Sequence, residues 1–241
     1  QMTTAELPGW GGATGFATWM DDPWQPEQPD LQPGDWIRGA VDNGRTAAVQ
    51  IGLITGRVDV DTDSITGKVD AAWLMPGPID VECQIWAAPG GAPNKQDTIT
   101  PDGADAYTCA WDPDSEWDVQ PGQDVAVFYR EPAGHQVAAV FVDNSFYIDG
   151  ATGQDSETCG AQATPCRTIG HTLASRATWG ATLHIAAGVY PENLTIDNLA
   201  VTLHGGYTPT PAGWTPRTGE TVIHGGGVER VVGAGVGHAR E

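Results

Sequence analysis

TLHIAAG at residues 182–188, VTLHGGY at 201–207 and TVIHGGG at 221–227 share one pattern, in which an apolar residue precedes a histidine and a glycine- or alanine-rich corner follows it. Their histidines, His184, His204 and His224, stand 20 residues apart each time. A repeat of about 20 residues, with short β-runs and a Gly-rich corner in every copy, is the signature of a solenoid whose coils stack in parallel. A single coil cannot bury its apolar face, so the first one needs a cap. PCRTIGHTLASRA at 165–177 supplies a candidate, with Ile169, Leu173 and Ala177 recurring every fourth residue on one helical face. Thr168 offers a side-chain oxygen suited to an N-cap, while Gly170 works against the helix.

If the repeat is in register, equivalent side chains stack on adjacent strands about 4.8 Å apart. Strand alternation sends Leu183, Ile185, Val201 and Leu203 inward and turns the histidines outward. A column of His184, His204 and His224 is a candidate site for zinc or another transition metal. It would also lose cohesion as the imidazoles become charged near about pH 6. The plain alternative is an exposed ladder, because three collinear donors approach a tetrahedron poorly.

The order of features adds to the spacing. YIDGATGQDSETC begins at Tyr147, the PCRTI helix start follows, and AAGVYPENLTI runs to Ile196 ahead of the GGY corner. Taken in that order, over roughly the last 95 residues, these features resemble the opening of secreted bacterial right-handed parallel β-helix proteins of the pectin-lyase-like superfamily. The resemblance implies an N-terminal cap and first coils at residues 144–241. It implies no single activity, because the superfamily spans lyases, hydrolases and adhesins. Polysaccharide cleavage would need a long groove lined by carboxylates, either to hold calcium or to act as an acid–base pair. Beyond Ser145 there are only eight acidic residues, scattered.

The first half of the chain has a different character. Of 31 acidic residues, 23 precede Ser145, and the net charge of −20 excludes nucleic acid and anionic membrane surfaces as partners. No run of apolar residues long enough for membrane insertion is present. DLQPGDW at 30–36 and DVQPGQDV at 118–125 are near copies, each with a Pro-Gly pair suited to a type II turn. Around them, β-branched runs at 36–41, 47–54, 57–60, 65–73, 79–87, 107–111, 125–129 and 137–142 predict an acidic β-sandwich-like domain over 31–143. The fold class is therefore all-β, a sandwich followed by the helix-capped start of the solenoid. No Pro/Ser-rich linker separates the halves, which predicts packed domains. Cys83 and Cys109 group apart from Cys159 and Cys166; three pairings are open, and the grouping favours two local disulfides in an oxidising compartment.

Residues 1–30 form an irregular arm with four prolines, whose Trp10, Trp19 and Trp24 are candidates for stacking on carbohydrate or for packing on the following sheet. Asp59, Asp61 and Asp63 alternate in RVDVDTDSITG and are candidate oxygen ligands for calcium as a cofactor. Ser64 stands where a calcium loop of the EF-hand kind has glycine. Asp112, Asp114, Glu116 and Asp118 form a second acidic group. No catalytic fingerprint for hydrolases, zinc peptidases or nucleotide enzymes appears. The expectation is an extracellular, non-catalytic structural, adhesion or assembly protein at the cell surface, contacting a glycan or self-assembling head to tail through solenoid ends into filaments. The alternative is a fragment of a polysaccharide lyase or glycosidase.

Overall fold

The computed structural model describes residues 30–40, 44–86, 92–132, 134–197 and 199–225, with the backbone of short strands at 5–6, 14–15 and 232–235. Trp10, Trp19 and Trp24 lie outside the described residues. The chain divides into two compact units, 1–51 and 52–241. In the first, β1 (Ala5–Glu6) pairs with β2 (Thr14–Gly15), and β3 (Trp36–Ala40) forms an antiparallel hairpin with β4 (Thr46–Gln50). The sequence places β3 and β4 in the sandwich. None of their residues is buried, and with no apolar face to contribute they pair only with each other.

The second unit begins with seven antiparallel strands: β5 (Leu53–Asp59), β6 (Ser64–Asp70), β7 (Ile79–Trp86), β8 (Lys95–Ile99), β9 (Asp102–Ala110), β10 (Asp124–Arg130) and β11 (Gln136–Val142). They make two sheets, ordered β5-β6-β9 and β11-β10-β7-β8. Every second residue of β7 (Ile79, Val81, Cys83, Ile85) is buried, the alternation expected of a sheet with one wet face. The Cys83–Cys109 disulfide ties β7 of one sheet to β9 of the other. Tyr129 of β10 crosses the gap as well, its hydroxyl accepting the Gly52 N–H at 2.8 Å. The arrangement fits a β-sandwich. Strand β8 escapes a reading by hydrophobic pattern because KQDTI is polar and buries only Ile99, as an edge strand should.

Two residues after β11 the chain enters β12 (Ser145–Ile148). The loop closed by Cys159–Cys166 follows, then the single helical turn α1 (Ile169–His171) and a wider turn at Thr172–Arg176. Thr168 caps α1, its Oγ1 accepting the His171 N–H at 3.2 Å. The cost of Gly170 is met from a distance, because the Glu192 carboxylate accepts both the Ile169 and Gly170 N–H groups. Ile169 and Leu173 are buried and Ala177 packs on the same core, so the four-residue recurrence does mark the inward face.

Beyond the cap lie β13 (Ala181–Ala186), β14 (Gly188–Tyr190), β15 (Leu194–Asp197), β16 (Val201–Thr210), β17 (Gly213–Thr215), β18 (Thr221–Ile223) and β19 (Val232–Gly235). Pairing is parallel for β12 with β13, β13 with β16, β14 with β18 and β15 with β19. Phe146, Leu183 and Leu203 are register partners on the inward side, and the core they join includes Ile148, Ile185, Tyr190 and Leu194. The two disulfides point to an oxidising, non-cytoplasmic compartment. Among the described residues no helix is long and apolar enough to cross a membrane.

Candidate functional site

Asp59, Asp61 and Asp63 sit on the β5–β6 turn and are divided among three tasks. Asp59 Oδ1 accepts the N–H groups of Asp61 and Thr62 at 3.1 and 3.2 Å, which closes the turn. Asp63 adopts a left-handed φ of 48° and points into the core, where its Oδ1 accepts the Val119 N–H at 2.6 Å. Asp61 reaches the disulfide-closed loop, its Oδ1 accepting the Gln162 N–H at 3.2 Å. Among the described residues these oxygens do not gather into a single ligand cage, and the one close group of donors, Cys159, Cys166 and His171, has both sulfurs spent in the disulfide. The second acidic group is likewise used locally: Glu116 pairs with Lys95 at 2.6 Å, and Asp112 Oδ1 accepts the Asp114 N–H.

Burial raises the pKa of Asp63 above the ordinary carboxylate value, opposed by the Val119 hydrogen bond. An acid raised in the folded state contributes most to stability below its ordinary pKa, and that contribution declines as pH rises through the folded value. Asp63→Asn keeps an oxygen for Val119 and removes the charge. The variant should therefore be at least as stable as the parent at pH 7 and should lose less stability between about pH 4 and 7, read from urea midpoints at both ends. A variant destabilised at pH 7 with the parent's pH slope intact would refute this.

A cavity of about 300 Å³ opens where the sandwich meets β12. Arg57, Asp59 and Asp61 come to it from β5 and its turn, Asp143 and Ser145 from the β11–β12 junction, Tyr147 from β12, and Gln162 from the disulfide loop. Asp143 Oδ1 accepts the Ser145 N–H at 2.8 Å, so this carboxylate too is fixed by one oxygen. Asp61 is raised above its ordinary pKa by partial withdrawal from water and then by Asp59, while the Gln162 and Ala163 amides pull the other way. Burial, with Asp143 and Asp61 adding to it, pushes the Tyr147 hydroxyl up to about 12.

Tyr147 also begins an aromatic cluster. It is the register partner of His184 and stacks on it, centroids 4.8 Å apart and planes 20° from parallel. His184 pairs in turn with His204, whose ring lies edge-on at 6.0 Å. Trp214 meets Tyr147 edge-on at 5.0 Å, and Tyr207 meets His184 at 5.0 Å. Trp214 arrives on β17, which folds back antiparallel on the end of β16 with Pro209 opposite Trp214. Tyr207 is brought round by a register shift between His184 and Ala186 at the Gly205-Gly206 corner. Glycine is required there, since a β-carbon at Gly206 would stand 2.7 Å from the Gly219 carbonyl oxygen at a φ of 83°. Burial and the neighbouring His204 lower the pKa of His184, so its ring is neutral at neutral pH and behaves as an aromatic body.

The outward column is therefore Tyr147–His184–His204, which corrects the expected trio. The β16–β17 hairpin inserts extra residues after His204, and a count of 20 from there lands just past β18. Strand β18 pairs with β14, and the His224 N–H donates to the Tyr190 carbonyl at 2.8 Å. Tyr147 was invisible to the repeat because the cap separates it from His184, and Trp214 because it rides on the inserted hairpin. Compared with protein-family models, with curated proteins and with solved structures, the chain shows no match.

Proposed function

We propose that this chain is an extracellular, non-catalytic β-protein that contacts carbohydrate at the junction cavity, the parallel strands being the capped start of a right-handed parallel β-helix. The observation that carries the reading is a polar cavity with Tyr147 in its wall, a ring packed in turn against His184 and Trp214, with Tyr207 beside His184. Sugars present apolar C–H faces to aromatic rings and hydroxyls to carboxylate, amide and guanidinium groups, and this site offers both kinds of surface. The β-helix reading is supported by three parallel strand pairs, β13–β16, β14–β18 and β15–β19, laid down in the same order by successive passes of the chain. The disulfides and the acidic composition support export.

Asp59, Asp61 and Asp143 each give one oxygen to a backbone amide, which holds these carboxylates in place as walls of the cavity. The outer edge of β12 is already bonded to the disulfide loop, through Tyr147 N–H to Gly160 and Cys166 N–H to Tyr147, which leaves the β16 side of that sheet for strand addition and weighs against head-to-tail filaments.

Calorimetric titration with β-linked oligosaccharides tests the reading. Trp214→Ala should weaken binding at least about tenfold while the melting temperature moves by only a few degrees. Unchanged affinity in Trp214→Ala overturns the site. Release of reducing ends or unsaturated products from any glycan overturns the non-catalytic part.

A further inference from the structure

Resting on the carbohydrate reading, we infer that the junction cavity selects saccharides carrying free amino groups, that is, a cationic glycan of the glucosamine type. Three carboxylates, Asp59, Asp61 and Asp143, share the cavity with one guanidinium, Arg57, which leaves it net negative when all are ionised. Each carboxylate is fixed through Oδ1: Asp59 by the Asp61 and Thr62 amides, Asp61 by the Gln162 amide, Asp143 by the Ser145 amide. Acceptors already held in place by the backbone lose little freedom when a ligand arrives. Among the described residues, Oδ2 of Asp59 and Oδ2 of Asp143 accept no protein hydrogen bond, so both remain available to a donor.

The spacing of the acids separates the two kinds of cation. Among the described residues the three acids are not gathered within 4.8 Å as a metal site would need, whereas an oligosaccharide carries several amino groups and can meet acids that stand apart. Tyr147, next to Asp143 and Asp61, adds an aromatic ring to the wall, a partner for an ammonium group as well as for a sugar C–H. The chain's charge of −20 attracts polycations over distance and repels polyuronates. A glycan of the pectate or alginate type is thus the wrong sign for this cavity.

The test uses the full chain at about pH 6, where amines hold their proton. Three hexasaccharides sharing one β-1,4 linkage geometry are titrated: oligoglucosamine, its N-acetylated counterpart and oligoglucose. The expected result is at least about tenfold tighter binding of oligoglucosamine at low salt, with the preference shrinking as salt screens the charges. Asp143→Asn, which preserves an oxygen for Ser145, should bring that ratio towards one, whereas Asp80→Asn on β7 should leave it alone. Equal binding of all three glycans overturns this inference and leaves the carbohydrate reading standing. Failure to bind any of them overturns both. Hexalysine binding as tightly as oligoglucosamine also overturns the inference, since the cavity would then read charge without sugar.

Discussion

Replacing Phe146 with alanine is expected to cost about 3 to 5 kcal/mol, the range for deleting a fully buried aromatic ring. Phe146 has no exposed surface and is the register partner of Leu183, so it belongs to the core beneath the parallel strands. It also touches what lies on either side. A β-carbon at Gly122, in the second Pro-Gly turn of the sandwich, would stand 3.5 Å from Phe146 Cζ, and one at Gly160, in the disulfide loop, 2.8 Å from Cδ1. One ring thus fills a socket shared by the sandwich, the cap and the first parallel strand. Urea unfolding should show the loss in the midpoint, and the tryptophan signal should change because Trp214 packs on the adjacent Tyr147. A loss below about 1 kcal/mol would mean that the socket collapses freely and that the ring does not join the two halves.

Gly67→Ala should be at least as damaging, at about 3 kcal/mol or more, because the added methyl meets backbone that has nowhere to go. Gly67 of β6 faces Gly56 of β5 on one side and Tyr107 of β9 on the other. Its β-carbon would fall on the Thr55 carbonyl oxygen and 2.7 Å from Tyr107 Cζ. The buried Tyr107 ring occupies the space above the glycine and donates its hydroxyl hydrogen to that same carbonyl at 2.8 Å, so the methyl would break a buried hydrogen bond as well as crowd a ring. Gly77→Ala is a fair comparison, since nothing lies within 4 Å of its added carbon, although a φ of 150° strains it mildly. A loss in Gly67→Ala no larger than that in Gly77→Ala would show that Thr55 and Tyr107 give way to the methyl at little cost.

Much of the strand architecture could be read from pattern alone because burial on one face imposes a period of two, as β7 shows residue by residue. Both Pro-Gly turns were legible for an equally local reason: Gly34 and Gly122 take φ of 99° and 83°, which a type II turn demands. Polar β8 was missed because an edge strand needs little apolar surface. The 20-residue spacing located the His184–His204 register but misplaced His224, since a count along the chain cannot see the hairpin that β17 makes on the end of β16 before β18 pairs with β14. The junction cavity was legible only in pieces. Asp59 and Asp61 stood out as acids, but Asp143, Gln162 and Tyr147 join them through contacts as distant in sequence as Asp61 and Gln162, and no local pattern announces those.

The sealed edge of β12 also limits what the parallel stack can pair with. Residues 160–166 bond one side of this first strand and β13 the other, so further strands extend the sheet on the β13 side only. Each takes its phase from the strand before it. A one-residue slip would swap Leu183 with His184 and turn the inward column of every later layer to the water.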